Sequence, residues 1–317
     1  MVLSVFLFLI GLVILYYGAE WLIRGASSLA LQYGIRPIIV GLTVVALGTS
    51  MPEFLVNAVA AVTGEPDLAL GNIIGSNVAN IALILGASAL VVPIDVTPSI
   101  LRKEYPLMVS VMVLFYVVAM DSIISRWDGV LLVTCLISIG IYVFLEERGA
   151  DTVVADVEDD LQAGDAEATT FSKSFDLVGG MVGLALGAHL MVDSAVDIAN
   201  AMGVKHVIIG LTIVAIGTSL PELAASMVGA MKSESDLSVG NVLGSNLLNV
   251  LFVVGTVSMV RPLDVEPTSL TIHFPVMIGF SVLLLPIAWT QYRISRAEGG
   301  VLLAGFLGYM AYLVMYS

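Results

Sequence analysis

The chain repeats itself at a fixed distance, and that limits its possible folds more than any other feature. Gly48-Thr49-Ser50-Met51-Pro52-Glu53 returns as Gly217-Thr218-Ser219-Leu220-Pro221-Glu222. Gly71-Asn72-Ile73-Ile74-Gly75-Ser76-Asn77 returns as Gly240-Asn241-Val242-Leu243-Gly244-Ser245-Asn246. The offset is 169 residues in both cases. It also carries Gly18 onto Gly187, Gly41 onto Gly210, Asn80 onto Asn249, Pro93 onto Pro262 and Asp95 onto Asp264. So long a repeat without an insertion means two copies of one structural unit.

What surrounds the motifs is apolar. Hydrophobic residues are 58% of the chain and charged residues 12%, against about 25% charged in a soluble domain. The chain therefore reads as an integral membrane protein in contact with lipid. Only 12 residues are Lys or Arg, so no nucleic-acid partner is expected, and no obligatory protein partner is evident. The one cysteine, Cys135, excludes an intramolecular disulfide and a cysteine metal cluster. It reads as a small apolar residue. Met1 to Leu15 is apolar without a basic residue, so it reads as the start of a first span rather than a cleaved leader.

Apolar runs predict helices near 2–23, 37–62, 68–91, 105–120, 128–145, 176–199, 206–231, 237–260, 272–290 and 300–316. They fall five and five around a polar segment, 146–175. Nine of the 26 acids lie between Glu146 and Glu167, so the segment reads as a solvated loop. An odd number of spans per repeat turns the second copy upside down. The expected fold is thus an all-α membrane protein of ten transmembrane helices. Residues 1–145 and 176–317 form two inverted five-helix repeats with broken helices at the centre, joined by the acidic loop. Inverted repeats are a recurrent architecture of secondary transporters, with the substrate at the repeat interface. With the N-terminus outside, Arg24, Arg36, Arg102, Lys103, Arg148, Lys173, Lys232, Arg293 and Arg296 are cytoplasmic. Arg126, Lys205 and Arg261 are external. This satisfies the positive-inside rule, placing both termini outside and the acidic loop in the cytoplasm.

Pro52 and Pro221 lack an N–H and crowd the carbonyls of Gly48 and Gly217, four residues back. The helices are expected to break there and free main-chain carbonyls, which membrane proteins tolerate where such backbone lines a cavity. Beside the breaks stand Thr49, Ser50, Glu53 and their copies Thr218, Ser219, Glu222. The next helices carry Asn72, Ser76 and Asn80 at four-residue spacing, repeated as Asn241, Ser245 and Asn249. Ser76, Asn80, Ser245 and Asn249 read as ligands. Asn72, Asn77, Asn241 and Asn246 read as support, with interhelical hydrogen bonding as the plainer use of all eight. Gly71 with Gly75 and Gly240 with Gly244 are packing pairs.

Carboxylates, hydroxyls, amides and carbonyls suit a hard cation such as Ca²⁺. No His or Cys cluster invites zinc or copper. Glu53 and Glu222 offer a charge of −2, which one Ca²⁺ or two Na⁺ would balance. Two close, bare carboxylates in a low dielectric are unfavourable, so the empty form resists changing faces, as an antiporter requires. A cation channel shares the same lining but gains nothing from two opposed halves. An intramembrane hydrolase using Ser50 or Ser219 lacks a His or Lys in either motif, so no enzyme is expected. Glu20 and His189 occupy equivalent positions in the first and sixth helices; His189 reads as a hydrogen-bonded histidine, with a proton-linked role as the alternative.

At these residues the chain resembles the sodium/calcium exchanger family of the calcium:cation antiporters, in its small prokaryotic form. The resemblance covers nearly the whole chain. It implies that Glu53 and Glu222 bind calcium and share it with sodium. Thr49, Ser50, Thr218, Ser219, Ser76 and Ser245 would complete the sites, with the carbonyls of Ala46 and Ala215 contributing from the breaks. Asn80 and Asn249 would lie at the centre. The first and sixth helices would slide as a gate across the other eight. It further implies no cofactor, a cell-membrane location and three Na⁺ for each Ca²⁺. A proton/calcium exchanger, or one for another divalent cation, is the alternative. Asn249 stands where potassium-dependent members carry Asp, which argues against potassium co-transport.

Overall fold

A computed structural model describes residues 2–63, 66–148, 170–202 and 215–316. Among these, seven helices are long and apolar enough to cross a membrane. An eighth span is the pair Pro37–Thr49 and Met51–Thr63, bent by 47°. Leu220–Met231 and Glu104–Ala119 are shorter, at 12 and 16 residues. The expected span 206–231 lies partly outside the described residues, and so does most of the acidic segment. Arg126–Arg148 and Thr170–Ala201 are helical to their ends, inside the interval expected to be loop. The first helix, Val2–Tyr33, continues ten residues past the apolar run, through Arg24 and Gln32.

Two helices form the centre. In the stretches Ala69–Val91 and Ser235–Val260, 78% and 83% of the most apolar window is buried, against 11–28% for the other long spans. The peripheral helices turn large apolar side chains outward, Trp127 and Val59 among them, as lipid-facing surfaces do. Each central helix opens into a π-helical turn at the motif asparagine, Asn80–Leu85 and Asn249–Val254. The two turns are 169 residues apart, so the repeat extends to an irregularity of the backbone. Such turns are frequent at functional sites.

Contacts between the halves are exchanged in pairs, as a two-fold axis demands. A Cβ at Gly18 would lie 2.7 Å from Leu184 N, and one at Gly187 would lie 2.6 Å from Leu15 N. Under the 169 offset each contact is the other's mate. Glycine is needed here because two backbones meet directly, binding Val2–Tyr33 to Thr170–Ala201. Two short antiparallel ladders behave alike: Ile94 and Asp95 pair with Ile294 and Arg293, and Leu263 and Asp264 with Ile124 and Ile123. This register needs an offset of 170 beyond the strands, so the second half carries one extra residue. Its trace is a pair of N-terminal caps. Ser125 bonds Asp128 through its N–H at 2.8 Å and its hydroxyl at 2.6 Å; Ser295 bonds Glu298 at 2.8 and 2.7 Å.

Polar side chains of the loops and helix ends meet in small groups. Lys232 and Arg24 both meet Glu20, at 2.8 and 3.3 Å. Arg36 meets Glu104 at 3.4 Å, Thr97 bonds Asp236 at 2.8 Å, and Arg293 meets Asp95 at 3.3 Å. Arg126 bonds the carbonyl of Val260, and Arg261 that of Ala61.

Candidate cation site

Both motif helices break at the serine. Ser50 (φ −84°, ψ 4°) separates Ala46–Thr49 from Met51–Thr63. Ser219 (φ −91°, ψ 7°) separates Ala215–Thr218 from Leu220–Met231. These are nearly the same dihedrals, in the sparsely occupied bridge region of backbone space. Pro52 and Pro221 sit in the first turn of the outgoing helices, where a missing N–H costs nothing. The break therefore falls two residues after the glycines expected to carry it. The carbonyl of Ala46 accepts the Ser50 N–H at 2.9 Å and the Thr49 hydroxyl at 3.3 Å; Ala215 opens its short helix.

From the breaks the serines reach across the two-fold. Ser50 donates to Glu222 Oε1 at 2.9 Å, and Ser219 donates to Glu53 Oε1 at 3.4 Å. Each hydroxyl thus serves the carboxylate of the other half. Thr49 donates to Asn241 Oδ1 at 3.1 Å, and Asn80 donates through Nδ2 to Asn246 Oδ1 at 3.0 Å. Thr49, Ser50, Glu53, Ser219, Glu222, Ser76, Ser245, Asn80 and Asn249 are all buried; Thr218 is half-buried. The outgoing helix Met51–Thr63 packs on the π turn of the opposite half, where the Phe54 and Phe252 rings are 4.9 Å apart.

Among the described residues, six buried side-chain oxygens of this group have no hydrogen-bond partner: Oε2 of Glu53 and Glu222, Oγ of Ser76 and Ser245, and Oδ1 of Asn80 and Asn249. They form three two-fold pairs. An unpaired buried acceptor costs free energy, and six placed symmetrically are a donor set for a cation. Their chemistry, two anionic oxygens among neutral hydroxyl and amide oxygens, fits a hard ion. No group of three or more His, Cys, Asp or Glu able to hold a metal occurs among the described residues, so soft or borderline metals find no counterpart.

Two residues escaped the sequence reading. Asn57 is buried and donates to the carbonyl of Glu53 at 2.6 Å. Its copy Ser226 accepts from Asn241 Nδ2 at 2.9 Å and donates to the Ser238 carbonyl at 3.5 Å, while the Ser238 hydroxyl donates to the Ser226 carbonyl at 2.7 Å. Each lies four residues after a motif glutamate and 169 from the other, which was the available signal. His189 is exposed and meets Asp193 at 3.3 Å on the outer face of its helix. Asn77 bonds its own helix at the carbonyl of Ile73.

Helical spans of membrane length, two motif helices broken at equivalent serines and crossed carboxylates define a membrane protein with a two-fold site built from oxygen. A family model described as sodium/calcium exchanger protein matches residues 3–145 and 175–315, omitting the acidic segment. The inner membrane protein YrbG of Escherichia coli K12 is 34% identical, covering 100% of this chain and 98% of its own. The sodium/calcium exchanger MaX1 of Methanosarcina acetivorans is 30% identical, covering 97% of this chain and 96% of its own. The solved structure of the sodium-calcium exchanger NCX_Mj, soaked with zero Na⁺ and Ca²⁺, superposes with a TM-score of 0.84 at 32% identity over 98% of this chain and 99% of that one. The chain belongs to the sodium/calcium exchanger family, which is a family of transporters.

Proposed function

We propose that the protein is a secondary active antiporter that exchanges Na⁺ for Ca²⁺ across the cell membrane by alternating access. The observation that carries this reading is the set of six buried, unpartnered oxygens in three two-fold pairs. Ca²⁺ takes six to eight oxygens, and Glu53 with Glu222 balances its charge. Ser76, Ser245, Asn80 and Asn249 supply neutral oxygens to the same ion. Thr49, Ser50, Thr218 and Ser219, with the carbonyls of Ala46 and Ala215, serve sodium ions that share the carboxylates. Once the cation leaves, two buried anions lose their partner, which is costly. The unloaded site therefore resists crossing, and the two ions must alternate.

Two inverted five-helix repeats, 1–145 and 176–317, supply the opposed halves, with the segment 146–175 in the cytoplasm and both termini outside. The paired contacts of the first and sixth helices support their role as a gate. That pair also touches both motifs, since Cβ atoms added at Gly48 and Gly217 would strike Met181 and Val192. The test is calcium uptake into proteoliposomes under imposed sodium, potassium or proton gradients. Uptake is expected with an outward sodium gradient and undiminished when potassium is absent from both sides, because Asn249 brings no third carboxylate. Uptake driven by a proton gradient without sodium would replace this reading with proton/calcium exchange.

A further inference from the structure

Behind the unpartnered oxygen of Asn80 runs a short chain of buried side chains. Asn80 donates through Nδ2 to Asn246 Oδ1 at 3.0 Å, and Asn246 donates through Nδ2 to Met108 Sδ at 3.6 Å. Met108 lies on the helix Glu104–Ala119, and all three side chains are buried. Two amides in a row could run in either sense, because each has a donor end and an acceptor end. A thioether accepts weakly and has no proton to give. Facing it, Asn246 must present its NH2 group; its oxygen there would set two acceptors against each other. Asn246 then turns its oxygen to Asn80, and the NH2 group of Asn80 is engaged by that bond. What is left over, Asn80 Oδ1, is the oxygen without a partner. In the reverse sense Asn80 would aim an NH2 group where its oxygen now stands. Under the 169 offset the three residues return as Asn249, Asn77 and Met277. There Asn77 donates to the carbonyl of Ile73 at 2.9 Å, so among the described residues only the first triple is joined end to end.

We propose that Met108 is a positioning residue for cation binding: its acceptor-only sulfur fixes the sense of the Asn246–Asn80 pair, so that Asn80 offers the ion an oxygen and not an NH2 group. The inference rests on the antiport reading above, which makes Asn80 a ligand. An empty site works against this order. Two of its unpartnered oxygens belong to carboxylates, and they would draw an NH2 group inward. Met108 opposes that turn. The amide is thus ordered before the cation arrives, and the ion does not have to supply the ordering from its own binding energy.

The test is equilibrium Ca²⁺ binding to the purified full chain in detergent without sodium. Met108→Leu nearly conserves volume and removes the acceptor. Its Kd for Ca²⁺ is expected to rise about fivefold, the factor of one ordinary buried hydrogen bond. The second arm starts from Asn80→Asp, whose own Kd is the reference. A carboxylate has an oxygen at either end, so the sense of the pair no longer matters there. Adding Met108→Leu to Asn80→Asp should therefore leave Kd within about twofold. A sulfur that only fills space would give the same loss in both backgrounds. An unchanged Kd in Met108→Leu alone, or an equal rise in both backgrounds, overturns the inference. Should Met108→Leu fail to fold, Met108→Ile is read by the same criterion. Wild-type protein with neither Ca²⁺ binding nor sodium-dependent flux would overturn the antiport reading and this one with it. Wild type that binds Ca²⁺ and exchanges it for sodium, with Kd unchanged in Met108→Leu, overturns this one alone.

Discussion

Glu53 and Glu222 each have one oxygen engaged by a serine from the other half and one without a partner. A cation and a carboxylate about 4 Å apart interact by roughly 4 kcal/mol per unit charge at an effective dielectric of about 20. Glu53→Gln or Glu222→Gln removes one of the two charges, so calcium flux should fall at least about a hundredfold in either variant. Folding should survive, since a neutral amide is easier to bury than a carboxylate; flux in proteoliposomes and a monodisperse profile in detergent check the two halves of this expectation. The two-fold makes a sharper demand: the two variants should fail to a similar degree, and normal flux in one would break the symmetry of the site. The motif residues were legible in the sequence because a carboxylate, a hydroxyl or an amide stands out in an apolar run. Asn57 and Ser226 were not, because the offset aligns two different residue types and neither belongs to a motif. Which serine serves which carboxylate was hidden for another reason. Ser50 lies three residues from Glu53 yet bonds Glu222, and only the packing of the halves decides that.

Among the helices, the glycine-lined pair Val2–Tyr33 and Thr170–Ala201 stands apart, packed backbone to backbone. A methyl group at Gly180 would lie 2.3 Å from Leu22 N, whereas one at neighbouring Gly179 would meet only the Trp21 ring, at 3.5 Å. Gly180→Ala should therefore force the helices apart, at a cost of about 1–3 kcal/mol, and Gly179→Ala should be nearly silent. Thermal unfolding in detergent should show an earlier transition for the first variant alone, and its calcium flux should be slower because the pair touches both motifs. Equal stability of the two variants would mean that the close approach contributes nothing. The breaks at the motifs were readable from Pro52 and Pro221, though displaced onto Ser50 and Ser219, because proline sits easily in a first helical turn. The π turns at Asn80 and Asn249 were not readable, since nothing in residue composition distinguishes a π turn from an α turn. The first helix outran its predicted end at residue 23 because Arg24 interrupts hydrophobicity and not helix. The arginine finds Glu20 one turn back, and the remaining ten residues continue on helix-compatible side chains.

At the scale of the whole molecule, the two halves exchange both ladders, the contacts of Gly18 and Gly187, and the serine–carboxylate bonds. On the antiport reading proposed above, the ions share one place, and the charge carried across follows from how many bind at once. Two carboxylates balance one Ca²⁺ or two Na⁺, and two-for-one exchange would be electrically silent. A third Na⁺ would rest on neutral oxygens, of which Thr49, Ser50, Thr218, Ser219, Ser76 and Ser245 provide six beside the charged pair. Exchange of three for one would then move one net positive charge in the direction of sodium. One charge crossing 100 mV is worth about 2.3 kcal/mol, enough to move the equilibrium calcium ratio about fiftyfold. The sign is fixed: with sodium leaving and calcium entering, an inside-positive potential drives the cycle forward and an inside-negative one opposes it. Sealed vesicles loaded with sodium, their voltage set by potassium and valinomycin, separate the two cases. Calcium accumulation is expected to rise with inside-positive voltage and to fall with inside-negative voltage at a fixed sodium gradient. Accumulation that ignores voltage would leave only the two sodium ions that the carboxylates themselves can balance, and the neutral hydroxyls would then serve calcium alone.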